Sequence, residues 1–342
     1  MLSLSFAGFY MKLGKEDYCE GSPLLVPDSK MGVERAREHD VLFICMSVLV
    51  TVVLILTLFI NALSGSIGID MGWFLNNTGD VSDYYYLEIT PAGWTFSIWA
   101  VIYTFQVLFI LYVLISLCRR NDQGPVYRNP PVINSLMLLL YTINLGLNVS
   151  WLFLWDRQLL PVALVVIALL PFTLYLALII NHRLVNKSGS NLRNYHRGDL
   201  IAVRIIVQNG LALYATWVTI ATLLNFAIVL SYWGGMSQSD ASTVSLSILL
   251  VEVLVYFVLE NIVLEKYLRY TYTVWMVVLF ALTGSVAKNW SPGSRNSIFS
   301  VVLLALAGAL FIVKIALSIW RAYTRPLYVN QVSQSKQDLA LA

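Results

Sequence analysis

The sequence predicts an all-α polytopic membrane helical bundle with about eight transmembrane helices. Of its 342 residues, 58% are hydrophobic and only 12% are charged, whereas a soluble globular chain carries about 25% charged residues. The apolar residues are gathered in runs of roughly 20, the length an α-helix needs to cross the hydrocarbon core of a bilayer. Lipid is therefore the expected solvent for most of the chain.

Each apolar run is predicted to form one helix across the membrane, and the seventh run is the shortest. The predicted spans are 41–63, 94–117, 133–155, 159–180, 207–230, 243–264, 271–288 and 298–320. Pro171 falls inside the fourth, where a kink is expected. These spans divide the chain into an N-terminal tail (1–40), a group of five helices (41–230), three further helices (231–320) and a C-terminal tail (321–342).

The positive charges predict how the chain is oriented. Lys and Arg outside the spans fall almost entirely on one set of alternate segments, and segments 64–93 and 231–242 on the other side contain none. Because cytoplasmic loops are enriched in Lys and Arg, both termini are expected in the cytosol. Segment 64–93 is then exoplasmic, and its Asn76-Asn77-Thr78 matches the acceptor pattern for N-glycosylation. The same pattern at Asn148 and Asn186 is expected to be silent.

The N-terminal tail carries a candidate sorting signal. Glu20 stands four residues before the pair Leu24-Leu25, an arrangement that resembles the acidic dileucine signals bound by clathrin adaptors. Such short signals are recognised by receptors and are not parts of a fold. Delivery to endosomes or lysosomes is expected if the signal is used, and residence at the plasma membrane or in the endoplasmic reticulum if it is inert.

Three aromatic fragments stand out in the second, third and fifth predicted spans. They read Thr-Pro-Ala-Gly-Trp-Thr-Phe-Ser-Ile-Trp-Ala-Val-Ile-Tyr at 90–103, Leu-Asn-Val-Ser-Trp at 147–151, and Tyr-Ala-Thr-Trp at 214–217 followed by Ala-Thr-Leu-Leu-Asn at 221–225. Taken in this order, the fragments resemble the tryptophan-rich sensory protein or translocator protein family (TspO/MBR, the peripheral-type benzodiazepine receptor family). The residue pattern of these fragments is closer to that of the longer, divergent branch of the family. The resemblance covers roughly residues 41–230.

The resemblance implies that the first five helices form a bundle that binds flat apolar ligands such as tetrapyrroles or sterols. The residues it assigns to ligand binding are Trp94, Phe96, Trp99, Tyr103, Asn148, Trp151, Tyr214, Trp217 and Asn225. The four tryptophans among them are expected to face the interior of one bundle. Two alternatives stay open: the aromatic residues form an interfacial belt, and the two asparagines bond between helices without touching a ligand.

The last three spans carry the ionisable residues. Glu252 lies near the middle of the sixth span, and an acid at that depth is a functional candidate. Glu260 and Lys314 lie at nearly the same depth, so an ion pair between them is feasible. The alternative for Lys314 is that its ammonium extends to the cytosolic interface.

The leading hypothesis is a membrane protein that binds or transports a small apolar or amphipathic ligand in an aromatic-lined intramembrane pocket. The runner-up is an ion- or proton-coupled transporter that uses Glu252, and a lower alternative is a membrane scaffold without a ligand. No motif for a metal site, nucleotide site or catalytic triad is found at membrane depth, so neither an enzyme nor a nucleic-acid partner is expected. The expected partners are membrane lipid and a small hydrophobic ligand, and homo-oligomerisation stays open.

Overall fold

The computed structural model describes residues 38–64 and 66–329. The sorting-signal residues Glu20, Leu24 and Leu25 lie outside this range. The described chain forms long helices joined by short segments, and its only strands are the two-residue pair β1 (Arg120–Asn121) and β2 (Gly124–Pro125). The all-α bundle expected from the hydropathy pattern is confirmed.

Seven helices of the described chain are long and apolar enough to cross a membrane, and an eighth is apolar but only 17 residues long. In chain order, with the short helices between them, the helices are α1 (Val41–Leu63), α2 (Ser66–Asp70), α3 (Thr78–Tyr84), α4 (Ile98–Cys118), α5 (Ser135–Asp156), α6 (Leu160–Lys187), α7 (Gly189–Tyr195), α8 (Arg197–Tyr232), α9 (Gln238–Val263), α10 (Glu265–Leu268), α11 (Thr273–Asn289) and α12 (Arg295–Thr324). A 3-10 turn, Gly93–Ser97, leads into α4. Two stretches are π-helical, Val203–Asn209 within α8 and Leu259–Val263 at the end of α9.

The short helix α11 still runs from one end of the bundle to the other. At its start, the Thr273 hydroxyl donates to the Asn209 carbonyl at 2.7 Å. At its end, Asn289 accepts a hydrogen bond from the Tyr86 hydroxyl at 3.0 Å, and the Tyr86 carbonyl accepts one from Tyr232 at 3.1 Å. Because Asn209 and Tyr232 bound the apolar part of α8, α11 covers the same depth as α8. The structure therefore has an eighth apolar helix, parallel in extent to the long ones, where the sequence predicts the seventh span.

Side-chain caps fix where several helices begin. Asp40 accepts a hydrogen bond from the backbone of Phe43 at the start of α1, Asn134 caps α5 through Met137, and Ser237 caps α9. Each cap satisfies an N–H group that has no partner within the helix. The α9 cap explains why this helix begins earlier than its apolar run: the first turn is polar but properly capped.

Helix α8 lies at the centre of the bundle. It packs against α4, α6, α9 and α11, whereas α1 packs against α4 and α5, and α12 packs against α9 and α11. Of the three helices after residue 230, α9 and α11 thus pack on the same central helix as the first group, and α12 packs on those two. Helices α6 and α9 both flank α8 but do not pack closely against each other, which leaves a space between them.

One end of the bundle, here called the loop face, carries residues 66–97. Asp156 at the end of α5 accepts hydrogen bonds from the backbone N–H groups of Leu75 and Asn76, both at 2.8 Å. The Asn296 amide at the start of α12 donates to the Glu88 carboxylate at 2.6 Å. These bonds hold the segment against the ends of two helices that are far apart in sequence.

The opposite end, here called the basic face, carries Arg119, Arg204 and Arg269. The two guanidinium nitrogens of Arg119 donate to the two carboxylate oxygens of Asp199 at 2.6 and 2.9 Å. The hydrogen bonds to Asp199 raise the pKa of the Arg119 guanidinium, so the guanidinium stays charged. It joins the end of α4 to the beginning of α8.

Candidate functional site

The first and third aromatic motifs meet in the bundle. The Trp99 ring on α4 stacks on Tyr103 with centroids 5.5 Å apart, and its edge-to-face neighbours on α8 are Tyr214 at 5.9 Å and Trp217 at 6.4 Å. Tyr214 and Trp217 are almost fully buried. Edge-to-face and offset pairs at these distances are favourable aromatic contacts, so the motif residues pack on one another.

An amide network joins this aromatic cluster to the second motif. Asn61 on α1 donates to the Asn148 carbonyl oxygen at 3.0 Å, and it accepts a hydrogen bond from the Tyr103 hydroxyl. Sequence reasoning missed Asn61, although it is the one amide within the first apolar run. The Asn225 amide donates to the Ala221 carbonyl of its own helix at 2.9 Å. The interhelical alternative therefore describes Asn148, which bonds to another helix.

Trp151 and Trp94 occupy different surroundings. Trp151 is buried and stacks on Trp155 with centroids 5.3 Å apart. Trp94 is 49% exposed and contacts Phe280 of α11. The expectation that all four motif tryptophans face one interior is wrong for Trp94. In the 3-10 turn before α4 the inward position belongs to Thr95, whose methyl group packs so closely on Gly284 that a side chain there would clash.

Phe96 is half-buried in the same turn. Contact of any motif residue with a ligand stays a prediction. The geometry does show that members of all three fragments are joined by contacts and hydrogen bonds at α1, α4, α5 and α8: Trp99, Tyr103, Asn148, Tyr214 and Trp217.

A cavity of about 240 Å³ lies elsewhere, in the space that α6 and α9 leave beside α8, with α11 at its side. Of the motif residues that the sequence assigned to a ligand, none lines it, whereas Glu252 does. Its wall is mostly apolar, and its aromatic lining consists of Phe172, Tyr175, Tyr256 and Trp275. Sequence reasoning missed these four residues because they belong to no motif. A smaller void of about 50 Å³ touches Trp217.

Three threonines, here called the threonine ladder, line the cavity from α8: Thr216, Thr219 and Thr222. Their spacing of three residues places them along one side of the helix. Each hydroxyl donates to the carbonyl four residues earlier, at 2.8, 2.8 and 2.7 Å respectively. Thr222 also bonds to the Ile167 carbonyl at 3.2 Å. Pro171 cannot donate to that carbonyl because it has no N–H.

Glu252 reaches the cavity from α9 and is half-buried. Within residues 38–64 and 66–329, no side chain or backbone group forms a hydrogen bond or salt bridge with its carboxylate. A carboxylate at membrane depth that lacks such partners is energetically costly. This makes Glu252 the strongest single candidate for a functional residue in the described chain.

Glu260 is arranged quite differently from Glu252. Lys314 lies 3.0 Å from its carboxylate, and both side chains are buried. The Trp275 indole N–H also donates to Glu260, at 2.8 Å. The feasible pair is thus formed, and Lys314 does not extend to the interface. A second Lys314 bond, to the Leu268 carbonyl at 3.1 Å, ties α12 to the segment before α11.

The comparison with protein families agrees with this architecture. The family model of the TSPO-like proteins matches residues 47–317, which reaches into every long helix from α1 to α12. The match therefore continues past residue 230, where the motif resemblance ends. No individual curated protein and no solved structure matches the chain. The chain is a multi-pass membrane protein that belongs to the TSPO-like protein family.

Proposed function

We propose that the protein binds or transports a small apolar or amphipathic ligand in the cavity between α6, α8, α9 and α11. The cavity itself is the observation that carries the proposal. Ligand sites are typically concave and mostly apolar, with aromatic walls and a few polar groups that orient the ligand. This cavity has four aromatic side chains, the threonine ladder and Glu252 on its wall.

The aromatic cluster around Trp99 suits a different role in this proposal. Its rings contact one another, and hydrogen bonds link Tyr103 on α4 to Asn61 on α1, and Asn61 to Asn148 on α5. The cluster holds α4 against α8, and so fixes the helix that forms the floor of the cavity. Tetrapyrroles and sterols remain candidate ligands through the family resemblance, while a volume of about 240 Å³ favours compact molecules.

A cavity-filling substitution tests the proposal. Ala168 lines the cavity from α6, so Ala168→Phe places a phenyl ring in it. Ala316→Phe, on the exposed surface of α12, is the matched control. A ligand that binds the native state raises the melting temperature. In a panel of flat hydrophobic compounds that includes a porphyrin and a sterol, protective compounds should stabilise the parent and Ala316→Phe but not Ala168→Phe. Equal protection of all three proteins would place the site elsewhere.

The second candidate function, a proton- or ion-coupled transporter, is favoured by the position of the Glu252 carboxylate on the cavity wall at membrane depth. In proteoliposomes, a pH gradient should then drive ligand uptake by the parent and not by Glu252→Gln. Uptake that does not depend on the pH gradient would support ligand binding or facilitated transport without coupling to protons. If no compound in the panel protects the protein, the scaffold alternative is favoured.

We also propose an orientation and a membrane. The basic face is cytosolic, since it carries the Arg-rich ends of the helices, and the loop face with Asn76 is exoplasmic. Both termini are then cytosolic, and the protein is a glycoprotein of the secretory route that resides in endosomes, lysosomes or the plasma membrane. Clathrin adaptors and a second copy of the chain are the proposed protein partners, and no enzymatic activity is proposed.

A further inference from the structure

The described part of the cavity wall has an acidic side chain but no Lys or Arg. This imbalance of charge determines which kind of ligand suits the cavity. This inference rests on the proposed ligand-binding function. Among the described residues that line the cavity there is one acid, Glu252, and no Lys or Arg. The remaining titratable side chains on the wall are His182, Tyr175 and Tyr256. His182 lies two helical turns from Tyr175, roughly 10 Å toward the basic face.

The threonine ladder presents hydroxyl oxygen atoms to the cavity, but its hydroxyl hydrogens are not available to a ligand. A threonine hydroxyl has one hydrogen to donate, and each ladder residue donates it to a carbonyl of α8, which in the case of Thr222 shares it with the Ile167 carbonyl of α6. The Tyr175 and Thr219 hydroxyl oxygens are 2.7 Å apart. Since Thr219 has already donated its hydrogen, Tyr175 is the donor in that bond. The ladder can therefore accept hydrogen bonds from a ligand but cannot donate them.

Two buried groups that could interact with a carboxylate are engaged with Glu260 instead of Glu252. The indole N–H of Trp275 donates to Glu260 at 2.8 Å, and the Lys314 ammonium forms its salt bridge with the same carboxylate at 3.0 Å. Lys314 is buried on α12 and does not line the cavity. The bundle thus pairs its buried lysine with Glu260 and leaves Glu252 facing the cavity.

We propose that the ligand is a lipophilic amine, bound as an ammonium whose charge pairs with Glu252. Such a group supplies the positive charge that the lysine- and arginine-free wall lacks, and ladder oxygens can accept the N–H donors that Glu252 does not. The apolar part of the ligand packs against Phe172 and Trp275. A ligand that carries a carboxylate is repelled by Glu252, because like charges interact strongly in a medium of low dielectric constant.

Three small probes that share one ring system test this proposal: 1-naphthylmethylamine, 1-naphthylmethanol and 1-naphthoate. Binding is measured at neutral pH with the full chain in nanodiscs of zwitterionic phosphatidylcholine, so that the bilayer itself attracts neither charged probe. A charge-assisted hydrogen bond contributes about 1.5–3 kcal/mol, and each 1.4 kcal/mol is about tenfold in affinity. The amine should therefore bind about 10–100-fold more tightly than the alcohol, and the acid should bind most weakly.

Two charge-removing variants of α9 sharpen the test. Glu252→Gln should abolish the preference for the amine and leave the affinity for the alcohol within about twofold of the parent, well below the charge-assisted range. Asp240→Asn removes the same charge at an exposed position of the same helix, so it should keep the preference. Ala168→Phe should weaken the binding of all three probes.

The outcomes separate this inference from the proposed function. If the amine and the alcohol bind equally well to the parent, and Ala168→Phe blocks both, the cavity is a ligand site but the amine proposal is wrong. A preference for the amine that survives in Glu252→Gln also overturns it. If none of the three probes binds, the amine proposal falls, while the broader ligand panel still decides the proposed function.

Discussion

Lys314 and Glu260 form a salt bridge of 3.0 Å, although they stand on α12 and α9 and both side chains are buried. Removing one partner of a buried pair leaves an uncompensated charge and typically costs about 3–5 kcal/mol. We therefore expect Lys314→Met to lower the free energy of unfolding by that amount in detergent. Replacing both residues, as in Glu260→Leu with Lys314→Met, should recover most of the loss. A Lys314→Met protein as stable as the parent would show that Glu260 carries no charge.

The hydroxyl of Tyr103 donates to Asn61, which in turn donates to Asn148. Tyr103→Phe leaves the Asn61 carbonyl oxygen without this donor inside the bundle, and an unsatisfied buried polar group costs about 1–3 kcal/mol. Tyr323→Phe is the matched control, because Tyr323 is 84% exposed and surface substitutions usually change stability by less than about 0.5 kcal/mol. The free energy of unfolding of both variants checks the prediction. Equal values for the two would mean that the network contributes nothing measurable.

Pro171 and Thr222 form a similar compensating pair between α6 and α8. The Ile167 carbonyl lacks a donor at Pro171, and the single Thr222 hydroxyl hydrogen is shared between this carbonyl at 3.2 Å and the Val218 carbonyl at 2.7 Å. Thr222→Val should therefore destabilise the parent by about 1–3 kcal/mol. In a Pro171→Ala background the alanine N–H can bond to Ile167, so the same Thr222→Val change should cost less. A double-mutant cycle measures this coupling. Thr104→Val on the exposed surface of α4 is the control, and an additive cycle would contradict the prediction.

The helices could be predicted because hydropathy sets the apolar length that lipid requires. The first predicted span, 41–63, coincides with α1. The fifth predicted span, 207–230, is shorter than α8, which begins at Arg197. The first turns of α8 are polar and lead into a π-helical stretch. They therefore fall outside any apolar run. Composition therefore predicts which segments cross the membrane, while capping and polar contacts decide where the helices end.

The candidate site was less predictable for a physical reason. The cavity arises because α6 and α9 flank α8 without packing on each other, and that arrangement depends on interhelical packing rather than on any local pattern. Glu252 was predicted as a candidate because an intramembrane acid is unusual in itself. The threonine ladder left a signal at intervals of three residues, which a search for polar periodicity in the fifth span would have found.

The loop face provides a test of orientation through Asn76. Its side-chain amide donates to the Asp156 carbonyl at 3.0 Å, and a glycosylated amide keeps one hydrogen for such a bond. Asn148 is buried within α5, and Asn186 lies at the basic face in the last turn of α6. We expect a glycosidase-sensitive mass shift that disappears in Asn76→Gln and in Thr78→Ala but persists in Thr78→Ser. A shift that survives Asn76→Gln would contradict the proposed orientation or the proposed acceptor.

The last prediction concerns where in the cell the protein resides. Glu20, Leu24 and Leu25 lie before the described residues, in a tail that is cytosolic in the proposed orientation. Since an acidic dileucine signal acts by binding an adaptor rather than by packing, Leu24→Ala with Leu25→Ala should leave thermal stability unchanged. The same change should move a tagged protein from endosomes and lysosomes to the plasma membrane. Leu2→Ala with Leu4→Ala removes two leucines from the same tail and serves as the matched control.

Imaging of the three proteins beside compartment markers checks the outcome. An unchanged distribution of the Leu24 and Leu25 variant, or a parent absent from endosomes and lysosomes, would show that the tail does not determine the location.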